Sequence, residues 1–151
     1  MLQQTFIFGA TYLIFLSLII GGIYFLKQNW KIKKELFIFG TLTFILIGIF
    51  GFLSNHLYIN PRPFVVEHFT PLIPHIPDNG FPSDHTLVAF GIATIIFIFN
   101  RKLGIVLGLI ALFVAISRVY VGLHHSLDVI GSFVIAVVST YIVYKIRKPQ
   151  P

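Results

Sequence analysis

Apolar residues fill five stretches of the chain, roughly Thr5–Leu26, Leu36–Leu57, Ser83–Phe99, Leu103–Val119 and Ser126–Ile146, and polar residues gather between them. A helix needs about 20 apolar residues to cross a hydrocarbon layer of about 30 Å. The five stretches approach that length, the third and fourth falling a little short. Only Asn100, Arg101 and Lys102 separate those two, so they should form a tight antiparallel pair. The pattern predicts an all-α protein, a polytopic bundle of about five transmembrane helices. With no repeat, low-complexity tract or linker, residues 1–151 read as a single membrane-embedded domain. The first stretch lacks a basic lead-in and is too long for a cleaved signal, so it reads as a retained span.

The basic residues give the bundle a direction. Lys27, Lys31, Lys33 and Lys34 follow the first span, Arg101 and Lys102 lie between the third and fourth, and Lys145, Arg147 and Lys148 follow the fifth. Five spans put these clusters on one side, which the positive-inside rule makes cytoplasmic. The N-terminus is then expected outside and the C-terminus in the cytoplasm. Of the 11 Lys and Arg residues, only Arg62 and Arg118 fall on the other side. All six His residues lie there too, with Glu67, Asp78, Asp84 and Asp128. Ionisable groups at span ends are costly and usually functional, so the outer face is where chemistry is expected.

Composition narrows the options. Hydrophobic residues make up 56% of the chain and charged residues 11%, too little charge to clothe a soluble domain. The bilayer is therefore an expected partner. The net charge of +6 sits in topology clusters rather than on a recognition face, so no nucleic-acid partner is expected. The absence of cysteine excludes disulfides, thiolate catalysis and Cys-ligated metal.

Six of the eight prolines fall in Asn60–Pro82, which rules out a regular helix throughout. The segment is also apolar (Phe64, Val65, Val66, Phe69, Leu72, Ile73, Ile76), which suits an interfacial strap folded over the helix ends. A purely structural cap is the alternative.

Three clusters on the outer side can carry chemistry. The first is Pro61-Arg62-Pro63, and the second is Phe81-Pro82-Ser83-Asp84-His85. The third runs from Ser117-Arg118 to His124 and Asp128, with the spacing S-R-x5-H-x3-D. If the fifth helix has begun by His124, Asp128 lies on the same face and can accept a hydrogen bond from one ring nitrogen, leaving the other as nucleophile or base. By helix geometry alone His125 has an equal claim on Asp128. Two converging arginines would hold phosphoryl oxygens in bidentate fashion. Either one alone could be an anchor snorkelling to headgroups. Ser83 or Asp84 can cap a helix whose free N–H groups bind phosphate, with His85 placed to protonate a leaving oxygen.

Together these clusters resemble the three-part signature of the type 2 phosphatidic acid phosphatase superfamily, K-x6-R-P, P-S-G-H and S-R-x5-H-x3-D. The stretches P-R-P-F-V, L-I-P-H, F-P-S-D-H-T and S-R-x-Y-V-G-x-H-H resemble, within it, the bacitracin-resistance type of undecaprenyl-diphosphate phosphatase. The resemblance implies a hydrolase acting on a long-chain lipid phosphate or diphosphate at the outer membrane face, with no metal and no other cofactor. It implies His124 as nucleophile, Asp128 as its orienter and His85 as acid, with Arg62, Arg118 and Ser83 binding phosphate. Two positions depart from the signature. Asn55 stands where the first part has Lys, so the pocket has one cation fewer or another group fills the role. Asp84 stands where the second has Gly, a substitution shared by the isoprenoid-diphosphate branch. Phosphatidylglycerol phosphate, phosphatidate or another lipid phosphate is the alternative substrate. A non-catalytic lipid-phosphate-binding protein is the alternative of another class.

Overall fold

A computed structural model describes residues 1–149. Each apolar stretch is helical: α1 (Leu2–Lys27), α2 (Trp30–Leu57), α4 (Asp84–Phe99), α5 (Arg101–Tyr120) and α6 (Ser126–Ile146). A single turn, α3 (Pro63–Val66), lies in the proline-rich connection. Among the described residues four helices, α1, α2, α5 and α6, are long and apolar enough to cross a membrane. The fifth, α4, has only 16 residues and extends about 24 Å. It is also the one helix packed against all four others, so the shortest apolar segment is the centre of the bundle.

Asparagines start two of the helices. The Asn29 side chain accepts from the Ile32 N–H at 3.0 Å, and that of Asn100 from the Leu103 N–H at 3.0 Å. Each satisfies a donor that a helix N-terminus leaves free. Asn100 is at once the last cap of α4 and the first of α5, which makes the two helices the expected antiparallel pair.

Between helices in lipid, close packing rather than water exclusion supplies the attraction. Small residues therefore mark the contacts. A Cβ on Gly104 would strike the Phe97 backbone, so α4 and α5 approach backbone to backbone there. The hydroxyls of Thr94 and Thr140, 2.7 Å apart, join α4 to α6. Leu36, Phe39, Ile92, Ile96 and Leu107 fill one half of the interior; Ile47, Leu87, Phe90, Ala111 and Val129 fill the other. Large apolar side chains such as Phe15, Phe37, Leu109, Ile130 and Tyr141 cover the outside, as a surface facing lipid requires.

One end of the bundle gathers the starts of α1, α4 and α6 and the ends of α2 and α5. The proline-rich segment straps across this end. The Leu72 N–H donates to the Val121 carbonyl at 3.0 Å, and the Gly80 N–H to the Asn60 carbonyl at 2.9 Å. Phe64 and Ile73 pack on Ala10, Val121 and Leu123. At the opposite end Arg147 donates to Glu35 at 3.1 Å, tying the end of α6 to α2.

Candidate active site

The strap and the α5–α6 turn bring the candidate residues together. Arg62, extended between its two prolines, precedes α3, and its side chain turns inward. Arg118 lies in the last turn of α5. Gly122, at φ +80°, lets the chain reverse after α5, and a Cβ there would also strike the Phe69 ring. His124 follows in the turn, and Asp128 sits in the first turn of α6. Arg62, Arg118, His124 and Asp128 are all buried, at 6, 5, 2 and 0% exposure. Four ionisable groups removed from solvent at one helix end are sustained only by each other or by a ligand.

His124 is the hub. Its Nε2 faces Arg62 Nη1 at 3.2 Å and Arg118 Nη2 at 3.3 Å. Its Nδ1 faces the Gly80 carbonyl at 2.9 Å. Guanidinium nitrogens only donate and a carbonyl only accepts. The ring is therefore the neutral tautomer with its proton on Nδ1 and a lone pair on Nε2. Burial pushes its pKa below the usual 6.5; the Asp128 carboxylate opposes this, and the charges of Arg118 and Arg62 reinforce it.

A helical relation of His124 to Asp128 required α6 to have begun by His124. Because α6 starts at Ser126, His124 lies ahead of the helix rather than on its face. Asp128 Oδ2 is 3.4 Å from His124 Nδ1. The same oxygen accepts the His125 N–H at 2.8 Å, and Oδ1 accepts from Asn60 Nδ2 at 2.7 Å. Asp128 thus caps its own helix while backing the histidine, and the closer acceptor of the Nδ1 proton is the Gly80 carbonyl.

The two arginines are held differently. Arg62 donates through Nε to Asp78 and through Nη1 to the Leu123 carbonyl at 2.9 Å. Burial pushes the Asp78 carboxyl up, but the hydrogen bond and charge of Arg62 outweigh it and hold the pKa below the usual carboxylate range. Among the described residues Arg118 reaches only the Ala10 carbonyl, at 3.5 Å, besides His124, and its buried Nε has no partner. An anion between the guanidiniums would supply the missing acceptors.

His85, the second residue of α4, is half-buried and makes no side-chain hydrogen bond among the described residues. Arg118, His124, His75 and Arg62 all bear on it electrostatically. Ser83 occupies the N-cap position of α4, but its hydroxyl accepts from Thr86 at 3.1 Å rather than capping. Its own N–H donates to Ser132 Oγ at 2.9 Å. The Ser83 hydroxyl proton stays free to donate. Asp84 is exposed and is the first residue of α4, not its cap. His125 turns its Nε2 to the Pro61 carbonyl at 3.1 Å, outside the cluster. Asn55 donates to the Phe81 carbonyl at 2.8 Å, a backbone contact in place of a cation. Four residues that the sequence did not mark as site candidates, Asn60, Asp78, Asn79 and Gly80, complete the surroundings: Gly80 contacts His124, Asp78 contacts Arg62, Asn60 contacts Asp128, and Asn79 braces Asn60. Only Asp78 carried a signal, as one of the acids segregated with the histidines.

A 570 Å³ cavity opens beside His124 and His125, bounded by Gln3, Glu67, Thr70 and Tyr120. Among the described residues no group of three or more His, Asp or Glu is arranged to hold a metal ion.

Comparison with known proteins bears on this site. The model of the PAP2 superfamily matches residues 35–150. Undecaprenyl-diphosphatase BcrC of Bacillus subtilis is 40% identical over 102 residues, 65% of this chain but only 53% of that protein's length. Bacitracin transport permease protein BcrC of Bacillus licheniformis is 32% identical over 145 residues, 95% of this chain and 71% of that protein. Among solved structures, Aquifex aeolicus LpxE superposes with a TM-score of 0.71 at 25% identity, covering 94% of this chain and 82% of that one.

Proposed function

The chain belongs to the PAP2 superfamily and is a multi-pass membrane lipid phosphatase, and on that premise we propose that it hydrolyses an isoprenoid diphosphate, undecaprenyl diphosphate to the monophosphate, at the outer membrane face. One observation carries this reading: two buried guanidiniums converge on the lone pair of a neutral histidine. That arrangement has little structural use and fits a nucleophile aimed at a phosphorus whose oxygens the arginines will take over.

In the proposed reaction, His124 Nε2 attacks the terminal phosphorus. The bond from phosphorus to the bridging oxygen breaks, and His85 gives its proton to that oxygen as the lipid monophosphate leaves. Arg62, Arg118 and the Ser83 hydroxyl hold the three phosphoryl oxygens as charge builds on them. Water then attacks the phosphohistidine. His85 takes the water's proton, the P–N bond breaks, and inorganic phosphate departs with the Nε2 lone pair restored. Asp128 and the Gly80 carbonyl hold the Nδ1 proton in both halves. No step draws on a metal ion.

The matching relative named undecaprenyl-diphosphatase BcrC supports the choice of lipid. The experiment is a panel of undecaprenyl diphosphate, phosphatidylglycerol phosphate and phosphatidate presented to the purified protein in detergent with EDTA. Turnover of the isoprenoid diphosphate well above the others is expected, with none in His124→Ala. Preference for a glycerolipid phosphate would overturn the substrate. Full activity in His124→Ala would overturn the mechanism.

A further inference from the structure

The carbonyl that fixes the His124 tautomer belongs to Gly80, a residue of the strap, 44 positions away in sequence. A strap carbonyl can hold a nucleophile steady only if the strap itself cannot shift. Three asparagines provide that constraint. Asn79 Oδ1 accepts from the Asn60 N–H at 2.9 Å and from the Phe81 N–H at 3.2 Å. Its Nδ2 donates to the Asn55 carbonyl at 2.8 Å and to the Tyr58 carbonyl at 3.0 Å. A side-chain amide has two donor hydrogens and two acceptor lone pairs, so all four of its bonds are made. Asn55 Nδ2 grips the Phe81 carbonyl at 2.8 Å, one residue beyond Gly80. Asn60 Nδ2 reaches Asp128, and its carbonyl accepts the Gly80 N–H. Gly80 itself is so close that an added Cβ would lie 3.0 Å from Asp128 Oδ2 and 3.1 Å from the Asn60 carbonyl.

We propose that Asn55, Asn60 and Asn79 form a positioning hub that sets the Gly80 carbonyl against His124 Nδ1, and that Asn55 serves this hub rather than the phosphate. The proposal rests on the reading of His124 as nucleophile. It also accounts for the missing lysine. Position 55 has become part of the orientation of the nucleophile, and its amide is turned to the strap backbone. These are positioning residues, acting through Gly80 and Asp128. Their loss frees the ring to flip or change tautomer while leaving both arginines in place.

The test uses Asn79→Ala and Asn55→Lys in the full chain, purified in detergent and checked for monodispersity. Asn79→Ala should lower kcat about 10–100-fold, the range for groups that orient a functional histidine from behind. KM should stay within about threefold, because ground-state phosphate binding is untouched. Orthovanadate, a phosphoryl mimic that bonds to the same lone pair, should bind more weakly by a similar factor, while inorganic phosphate binding holds. Asn55→Lys should lower turnover as well. A rise in turnover with Asn55→Lys would show a vacant phosphate contact and overturn the proposal. Equal weakening of vanadate and phosphate in Asn79→Ala, or no weakening of either, would also overturn it. If Asn79→Ala does not fold, Asn55→Lys decides by the same measurements. Should the wild type release no phosphate from any lipid, the functional reading fails separately, and the vanadate–phosphate comparison still judges the hub.

Discussion

Hydrogen-bond direction decides what His124 can do. Donors on one side of the ring and an acceptor on the other leave a lone pair on the nitrogen that faces the two guanidiniums. Its pKa is held below 6.5, chiefly by burial, so the ring is mostly neutral at pH 6.5 and above. In the proposed reaction protonation removes the nucleophile, so kcat/KM should be level with respect to this group near neutrality and fall only below pH 6.5. The same depression means the unfolded chain binds this proton more readily. Stability from this residue is therefore full above pH 6.5 and is lost as pH falls through the folded value. A pH–rate profile with its acid limb above 6.5 would contradict the assignment. His85→Ala should cost about 10²–10⁴ in rate on a poor leaving group and much less on an activated one such as a nitrophenyl phosphate. Equal losses on both would remove it as the acid. Arg62 and Arg118 were legible in the sequence because charge is segregated along a membrane chain, and two cations on the wrong side stand out. Asn55, Asn60 and Asn79 carry no charge, and all but one of their side-chain bonds span 19 to 68 residues, so neither segregation nor spacing could single out their role.

At the scale of elements, tight approach is the controlling feature. The backbone contact of α4 with α5 at Gly104 leaves no room for a side chain. Gly104→Val should cost about 1–3 kcal/mol by overpacking and lower the melting temperature in detergent. It lies at the end of α5 remote from His124, so a surviving folded fraction should keep its KM. A stability equal to wild type would refute that packing. The five helices were legible because a span must be apolar along its whole length, and the turn at Asn100 because the polar break is so short. The start of α6 at Ser126 was legible as well. The relation of His124 to Asp128 was not, because a shared helix face required α6 to begin by His124, whereas Asp128 accepts the His125 N–H and the cap falls at His125. The central place of α4 was also hidden. Its shortness read as a marginal span, whereas a helix shielded by four others need not match the bilayer itself.

The whole molecule has its candidate site at one end of the bundle and most of its basic residues toward the other, which the positive-inside rule turns into an orientation. The chain has no cysteine, so single cysteines report cleanly. In intact cells Thr70→Cys should label with a membrane-impermeant maleimide, and Lys102→Cys only after permeabilisation. The reverse pattern would put the site in the cytoplasm. The proposed reaction turns on a covalent bond between His124 and phosphorus, and that bond can be trapped. Protein mixed with lipid diphosphate carrying ³²P at its terminal phosphate, then quenched in alkali within a turnover, should retain label that is stable to base and released by acid. The label should map to the peptide containing His124 and be absent in His124→Ala. Label on another residue, or active turnover with none captured in repeated rapid quenches, would contradict the account.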